Sequence, residues 1–378
     1  MSPPRSPHRA WIEVDHAAIR HNLATIRAAV DDAAVIAVVK ANAYGHGDVA
    51  VARTLAAAGV ERLAVATVDE ARRLREAGLQ VPILVLWGIG PEEAADAVEL
   101  ALEPIVYDAR AIDWLEAAAA GSPAPIGVHL KVDTGLGRQG MDPAHVAGLA
   151  TAIARSPRLT LAGTMSHLAV AGEDDAYTEG QLVRMAQTID TLRSAGIDPG
   201  LVHVGASSGI VTGLTGLVDA VRPGLTLYGL LPAGIAVAPG FGTLRPALSL
   251  KARALRIFDL PAGERIGYGL RYQATRATRV ATLGIGYGDG WPRVHANNGS
   301  VLVRGRRAPI VGAVSMDGVT VDLGDIAGVT YDDEFVLIGE QSGARITADD
   351  VAGERRTINY EVTTALRERL PRLHLGAD

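Results

Sequence analysis

The sequence predicts an α/β fold in two parts, and two observations lead to that prediction. Over residues 12–240, eight short runs rich in Val, Ile and Leu alternate with amphipathic stretches. The runs lack polar–apolar alternation, as strands buried on both faces do. Beyond residue 241, β-type runs follow one another with turn residues between them, which indicates antiparallel strands. We therefore expect a TIM (β/α)8 barrel followed by a mainly antiparallel β domain.

The predicted barrel strands are residues 35–39, 63–67, 83–87, 105–107, 127–132, 161–166, 201–204 and 217–221. An open, doubly wound sheet is the alternative, because alternation of strands and helices does not show that a sheet closes. The segment after the first run, residues 40–47, lacks the G-x-G-x-x-G pattern of dinucleotide-binding sheets. Closure is thus an expectation that the strand count favours and does not prove.

Helix signals lie between these runs. Asp15 is placed to cap a first helix, and Asp69 a second that ends near Gly78. Pro91 resembles the first residue of another helix, and a long helix is expected over residues 174–195.

The expected β domain spans residues 241–378, after a stretch rich in Pro, Gly and Ala at residues 232–246. Its predicted strands are residues 247–258, 278–285, 300–303, 308–311, 319–323 and 334–338. A short helix is expected at residues 357–369. Residues 11–14 alternate like a strand that can join either domain, and residues 1–11 as a whole are an open addition to the β domain.

Composition narrows the class of protein. Lys and Arg number 36 against 42 Asp and Glu, a net charge of −6, which argues against a nucleic-acid partner. The chain has no cysteine, so it has no disulfide, no thiolate nucleophile and no Cys-ligated metal, and we expect no metal site. Without an apolar run of about 20 residues or the apolar segment of a signal peptide, the expected location is the cytoplasm, away from membranes.

Reactive side chains follow the predicted strands, at the barrel face where active sites lie. Lys40 ends the first apolar run, where burial lowers the pKa of an amine and favours the neutral form. A neutral amine can form an imine or act as a base. The alternative is a lysine at a strand end that reaches to water.

Later strands end in further candidates. The fifth run leads into Lys131 and a glycine-rich turn ending at Arg138, and the sixth is followed by His167. The seventh carries His203 before a small-residue turn whose N–H groups suit an anion, and Arg222 ends the eighth. In the β domain, Tyr268 and Tyr287 are flanked by glycines, which indicate either close backbone approach or ordinary hairpin turns.

Residues 38–47, Val-Val-Lys-Ala-Asn-Ala-Tyr-Gly-His-Gly, resemble the pyridoxal 5'-phosphate (PLP) site of alanine racemases. Similar matches recur in the family's order and spacing at residues 129–138, 222–229, 286–290, 315–317 and 357–361. The resemblance covers nearly the full chain. It implies a PLP-binding barrel and a β domain in a head-to-tail homodimer, in which each site is completed by the partner subunit.

The resemblance also implies residue roles. Lys40 would hold PLP as a Schiff base, Arg222 would face its pyridine nitrogen, and Arg138 would approach its phenolic oxygen and the substrate carboxylate. The implied phosphate contacts are Tyr44, Ser208, Gly224, Leu225 and Tyr360. The implied contributions of the partner subunit are Tyr268, Tyr287, Met316 and Asp317, with the Met316 N–H near the substrate carboxylate.

The implied reaction is racemisation of L- and D-alanine by two bases, Lys40 and the partner's Tyr268, which supplies D-alanine for peptidoglycan. His167 would assist the phenol, with His203 in support, and Lys131 matches a lysine that can be carbamylated in the family. Arg222 would keep the pyridine nitrogen unprotonated, because guanidinium is not a practical proton donor.

Four positions depart from the family's usual pattern: Ser207 (Asn is usual), Gly288 (Ala), Ser315 (Cys) and Gly318 (Gln). A racemase for serine or a broad range of amino acids is therefore an alternative, since selectivity for one methyl group is worth only about 1–3 kcal/mol. A non-catalytic PLP-binding protein would resemble the barrel alone. The PLP decarboxylases of this barrel type depend on a β-domain cysteine, which this chain lacks.

Overall fold

The computed structural model describes residues 8–214 and 218–377. The chain forms two compact units, Ala18–Arg245 and Met1–Ala17 with Pro246–Asp378. We refer to them as the barrel unit and the β unit. The predictions that concern residues 1–7 and residue 217 lie outside the described residues.

The barrel unit contains eight parallel strands that close on themselves. After β1 (Ala10–Asp15) they are β2 (Ala34–Val38), β3 (Arg62–Val65), β4 (Ile83–Val85), β5 (Glu103–Val106), β6 (Ile126–Lys131), β7 (Leu159–Met165), β8 (Leu201–Ala206) and β9 (Ala220–Arg222). β9 pairs with β2 through Ala34 opposite Ala220 and Val35 opposite Val221. This closure confirms the TIM barrel and excludes the open sheet.

Helices follow most strands of the barrel. They are α1 (His16–Ala29), α2 (Lys40–Tyr44), α3 (Asp48–Ala57), α4 (Val68–Glu76), α5 (Ala94–Glu99), α6 (Ala109–Ala118), α7 (Val146–Arg155), α8 (Asp175–Ser194) and α9 (Ser207–Val211). Short 3₁₀ turns occupy Pro91–Glu93, Ala119–Gly121, Pro143–His145 and Leu225–Tyr228. The predicted long helix is confirmed, and Asp174 caps it by accepting from the Tyr177 N–H.

The prediction that Asp69 caps α4 is wrong. Thr67 is the cap, because its hydroxyl accepts from the Glu70 N–H at 3.3 Å while the Glu70 carboxylate accepts from the Thr67 N–H at 3.4 Å. This reciprocal pair satisfies two backbone donors that a helix start otherwise leaves unpaired. Asp69 lies within the first turn, where an acidic side chain faces the positive end of the helix dipole.

The β unit contains one nine-stranded sheet and a two-stranded ribbon. Its strands after β1 are β10 (Leu248–Leu260), β11 (Arg265–Ile266), β12 (Tyr272–Gln273), β13 (Thr278–Leu283), β14 (Ser300–Val303), β15 (Arg306–Val311), β16 (Val319–Asp322), β17 (Glu334–Gln341), β18 (Ala344–Ile346) and β19 (Arg372–Leu375). Short 3₁₀ turns lie at Tyr268–Leu270, Tyr287–Asp289 and Arg293–His295. β1 joins this sheet, antiparallel to β10 and parallel to β19.

The single helix expected at residues 357–369 is wrong in extent. The structure has α10 (Ala348–Arg355) before it and a shorter α11 (Asn359–Thr364). The helix stops there because the Arg367 N–H donates to the Asp289 carbonyl at 3.1 Å instead of to the Thr363 carbonyl one turn back. No helix within the described ranges has both the length and the apolar character to span a bilayer.

Replacing Thr67 with Ala is expected to lower the free energy of unfolding by about 1 kcal/mol, because the Glu70 N–H loses its acceptor. Urea denaturation followed by circular dichroism measures the change. Thr67→Ser keeps the hydroxyl and is the matched control. Equal stability of the Ala and Ser variants would contradict the assigned cap.

Candidate active site

The carboxyl ends of the barrel strands bring the predicted polar residues to one face. Lys40 follows β2, Lys131 ends β6, and Arg222 ends β9. His167 lies two residues beyond β7, and Ser208 lies in α9 directly after β8. Parallel strands in a closed barrel direct all their carboxyl ends to the same side, which is why residues distant in sequence converge here.

The backbone after Lys40 forms a left-handed turn. Ala41, Asn42, Ala43 and Tyr44 have φ angles of 53°, 55°, 51° and 54°, a conformation that costs an L-residue roughly 1–2 kcal/mol each. Hydrogen bonds oppose that cost: the Ala41 N–H donates to Glu70 at 2.7 Å, and the Asp48 N–H donates to the Asn42 side chain at 2.9 Å. The turn carries the chain directly from Lys40 to Tyr44.

Tyr44 lies against the turn that follows β9. Its ring packs against Tyr228 in a tilted arrangement, with centroids 5.0 Å apart and 30° between the ring planes. The Tyr228 hydroxyl donates to the Val38 carbonyl at 2.8 Å. A Cβ at Gly224 would collide with the Tyr44 hydroxyl. The absence of a side chain at Gly224 therefore lets the Tyr44 hydroxyl approach the backbone of the turn that follows β9.

Ser207 fixes the same turn. Its hydroxyl oxygen accepts from the Gly224 N–H at 3.1 Å and from the Thr226 N–H at 3.3 Å. The sequence marks Ser207 only as a departure from a family pattern, because no local signal shows which backbone groups a serine will contact. The neighbouring Ser208 hydroxyl has no hydrogen-bond partner in the part of the chain described, and Leu225 lies buried inside the turn.

Arg222 is 3% exposed and is held by several acceptors. Its guanidinium donates to the carbonyls of Ser166, His203 and Val204 at 2.7, 2.7 and 3.0 Å. It also contacts the Nδ1 atoms of His203 at 2.8 Å and of His167 at 3.2 Å. Burial lowers the pKa of Arg222 to about 9. Because arginine only donates, both Nδ1 atoms accept, so each imidazole carries its proton on Nε2.

Positive groups dominate this face. Burial lowers the pKa of Lys40, and nearby Arg138 and Arg222 lower it further. Burial lowers the pKa of Lys131 to about 7, again with contributions from Arg222 and Arg138. The pKa of His167 lies well below its usual value because of burial and the same cations. A site that disfavours its own positive charges is suited to bind an anion.

Trp87 supports Arg138. The guanidinium carbon of Arg138 lies 5.2 Å from the centroid of the Trp87 ring, within the range of a cation–π contact. The next residue, Gln139, donates to the Trp87 carbonyl at 2.7 Å. Trp87 was not predictable as a site residue, since no sequence pattern pairs an aromatic residue after a strand with a distant arginine.

In the β unit, the predicted site residues Tyr268, Tyr287 and Met316 lie on the surface. Tyr268 is 77% exposed and Met316 51% exposed, and Tyr287 is also exposed. The Tyr287 and Gly288 N–H groups donate to the carbonyls of Ser315 and Met316 at 3.0 and 2.8 Å. These two bonds join the turn at residues 287–288 to the turn at residues 315–316, which we call the turn pair. A cavity of about 390 Å³ lies beside it, lined by Gly267, Tyr268, Thr282, Ala313, Ser315, Gly318 and Thr320.

Arginines hold this turn pair. The fully buried Asp289 lies 2.8 Å from Arg9 and 3.4 Å from Arg369, and Arg369 also pairs with Asp317 at 2.6 Å. A Cβ at Gly288 would collide with the Arg369 guanidinium, so the glycine at this position makes room for that bridge. Tyr360 lies on α11 in the same unit.

Two domain families of alanine racemases match the chain. The N-terminal domain family matches residues 14–232, and the C-terminal domain family matches residues 247–374. The chain belongs to the alanine racemase family. Racemases are isomerases, so this is a family of enzymes.

Members of the alanine racemase family are similar to this chain over nearly its whole length. An alanine racemase from Desulforamulus reducens is 42% identical over 370 residues, which are 97% of this chain and 99% of that protein. A solved alanine racemase from Bacillus anthracis with bound L-Ala-P has a TM-score of 0.91 and 35% identity, covering 98% of this chain and 96% of that one. A histidine racemase from Leuconostoc mesenteroides has a TM-score of 0.90 and 28% identity, covering 98% and 100%.

The chain has three lysines, Lys40, Lys131 and Lys251, and we expect them to titrate in different ranges. Lys131 should titrate near pH 7 and Lys40 below the usual lysine range. Lys251 should titrate above it, because its ion pairs with Glu13 and Glu334 outweigh the effect of burial. Competitive acetylation of the cofactor-free protein across pH, read by peptide mass spectrometry, measures all three. Uniform titration of the three would contradict the assigned electrostatics.

Proposed function

We propose that this chain is a PLP-dependent alanine racemase. One observation supports this above the others: Lys40, with a lowered pKa, lies among Arg138, Arg222 and Lys131 at the barrel face. A lowered pKa leaves a larger fraction of an amine neutral, and the neutral amine is the nucleophilic form. The surrounding cations suit a cofactor that carries a phosphate and a phenolate. Electron withdrawal by bound PLP acidifies the α-proton of an amino acid.

The residues present fit PLP. The close approach of Tyr44 to Gly224 forms a cradle that any larger residue at 224 would fill, and the unpartnered Ser208 hydroxyl is available to a ligand. We assign the phosphate to Tyr44, Ser208, Gly224 and Leu225, with Tyr360 as a further contact. Lys40 would bind the aldehyde carbon, Arg138 the phenolic oxygen, and Arg222 the pyridine nitrogen. His203 would support Arg222.

The proton transfers need two bases on opposite faces of the substrate. Lys40 Nζ would serve one face, because its lowered pKa favours an amine able to accept a proton. The phenol of Tyr268 would serve the other, and a phenol with a pKa near 10 needs assistance to do so. Nδ1 of His167 accepts from Arg222, which leaves the Nε2–H of His167 to bond the phenolate oxygen.

Tyr268 would come from a partner subunit. Tyr268 is 77% exposed in the single chain. A tyrosine that transfers protons needs an active site that excludes solvent and holds its side chain in one orientation. We infer a homodimer in which the partner supplies Tyr268, Tyr287, Met316 and Asp317. The Met316 N–H would bind the substrate carboxylate together with Arg138. A neutral Lys131 amine, with its pKa near 7, is also the form that reacts with CO₂ to give a carbamate beside Arg138.

The biological role that fits this activity is supply of D-alanine for peptidoglycan. Racemisation of another amino acid is the second candidate. A histidine racemase shares the fold at 28% identity with a TM-score of 0.90, so this architecture accommodates a larger side chain in that protein. Gly318 favours the same candidate, because a side chain there would narrow the cavity beside Tyr268.

Purified protein loaded with PLP is expected to racemise L-alanine faster than L-serine, L-histidine or larger amino acids, measured by chiral chromatography. Lys40→Ala should remove the activity and the visible absorbance of covalently bound cofactor. Faster turnover of a larger amino acid would replace alanine with that substrate. No turnover of any would overturn the proposed function.

Replacing Tyr268 with Phe is expected to slow α-proton exchange with D₂O strongly for one enantiomer of alanine and far less for the other. The reason is that Lys40 remains able to serve its own face. Exchange is read by proton NMR for each enantiomer separately. Tyr331→Phe, at another exposed tyrosine of the β unit, is the matched control. Equal slowing of both enantiomers would contradict the two-base assignment.

A further inference from the structure

A chain of hydrogen bonds runs from Arg222 through the barrel interior to a carboxylate. Arg222 contacts Nδ1 of His203 at 2.8 Å, and Nε2 of His203 contacts Nδ1 of His129 at 2.8 Å. Nε2 of His129 then contacts the Glu103 carboxylate at 3.1 Å. Arg62 closes the series, with its Nε 2.7 Å from the same carboxylate oxygen. None of the three residues Glu103, His129 and Arg62 was singled out from the sequence.

The direction of every proton in this chain follows from its two ends. Arginine only donates, so Nδ1 of His203 accepts and its proton lies on Nε2. That Nε2–H must donate to Nδ1 of His129, which places the His129 proton on Nε2, facing Glu103. An ionised carboxylate only accepts, so both ends require the same two tautomers. The chain is therefore consistent with one proton arrangement and with no unpaired donor or acceptor.

Burial makes these bonds matter. His129 and His203 are both 0% exposed, and hydrogen bonds in such surroundings polarise one another more strongly than in water. Burial opposes ionisation of Glu103, yet its bonds with His129 and Arg62 lower its pKa to about 2. Burial and nearby cations lower the pKa of both histidines. The carboxylate thus stays charged and the imidazoles stay neutral near pH 7.

The barrel makes room for the contact between the two histidines. A Cβ at Gly163 of β7 would lie 2.5 Å from Nδ1 of His129 and 2.7 Å from the Leu201 carbonyl. Both distances are below any real Cβ contact, so the close approach of His129 to β7 requires glycine. Glu103 begins β5 and Arg222 ends β9, which means that the chain connects the two ends of the barrel.

We propose that Glu103, His129 and His203 are positioning residues that orient Arg222 and compensate its charge through neutral imidazoles. No carboxylate bonds Arg222 directly in the described residues, and the relay gives its guanidinium a distant anionic partner. The lone pair on Nδ1 of His203 accepts from Nη1 of Arg222, and the Ser166 and Val204 carbonyls accept from Nη2. The inference rests on the proposed function only in what Arg222 then faces, the pyridine nitrogen of PLP.

The first test uses the protein without cofactor. Nitrogen-15 NMR of the imidazoles is expected to show protonated Nε2 and unprotonated Nδ1 in both His129 and His203, assigned by His129→Gln and His203→Gln. Glu103→Gln removes the anion and keeps an oxygen acceptor, so the His129 Nε2–H bond should weaken. Arg62→Met leaves Glu103 with one donor fewer, so the same bond should strengthen. A protonated Nδ1 in either histidine, or shifts in the same direction in both variants, would overturn the relay.

The second test measures turnover. In Glu103→Gln, kcat for alanine should fall roughly tenfold with KM nearly unchanged, since a hydrogen bond to a charged acceptor is stronger than one to a neutral acceptor by about that factor. His129→Leu should fall further, and His129→Gln should recover part of the loss because an amide both accepts and donates. Asp96→Asn, which removes one charge from the ion pair with Arg72, is the control for net charge.

The two arms separate this inference from the proposed function. Unchanged kcat in Glu103→Gln, with wild-type imidazole shifts, would falsify the positioning role. Equal losses in His129→Leu and His129→Gln would reduce the relay to packing and also overturn it. An unaltered chain that racemises no amino acid would overturn the proposed function alone, because the tautomers and their opposite responses are read without cofactor or turnover.

Discussion

Confinement of buried positive charge at the barrel mouth is the constraint on which the rest of the site depends. Arg222 is 3% exposed and Lys131 4% exposed. Burial lowers the pKa of both, and Arg222 also lowers the pKa of Lys40. Burying a charge without compensation is costly. The barrel meets that cost for Arg222 with carbonyls and imidazoles from β8 and from the two residues that follow β7. Burial and the neighbouring arginines lower the pKa of both Lys40 and Lys131, so each amine is more readily made neutral than an ordinary lysine.

Close contacts also determine the backbone around the turn after β9. The left-handed turn after Lys40 delivers Tyr44 to Gly224, and Ser207 holds the backbone there from the opposite side. Strained backbone persists only where surrounding contacts determine it. Glu70 is one such contact, and it also completes the cap of α4. Helix capping and the geometry beside Lys40 thus share one carboxylate.

Sequence patterns predicted elements where local chemistry decides the structure. The strand Ser300–Val303 has the predicted bounds, and α8 differs from its prediction by one residue at each end. Two of the failures were local. Thr67 and Glu70 form a capping box, a T-x-x-E pattern that the prediction of Asp69 overlooked. The helix α10 was missed because its buried residues, Ala348, Val351 and Ala352, make only a weak apolar pattern. The left-handed turn at residues 41–44 contains no glycine, so the sequence gives no signal of its positive φ angles.

The residues of the candidate site divide in the same way. Lys40 and Arg222 were predictable because each lies at the carboxyl end of an apolar strand, and barrel geometry places strand ends together. Ser207, Trp87 and Glu103 were not, because each acts on a residue that only the fold brings near. Glu103 lies at the start of β5, on the end of the barrel where conserved function is not expected. A continuous series of hydrogen bonds through the interior connects Glu103 to Arg222 at the other end of the barrel.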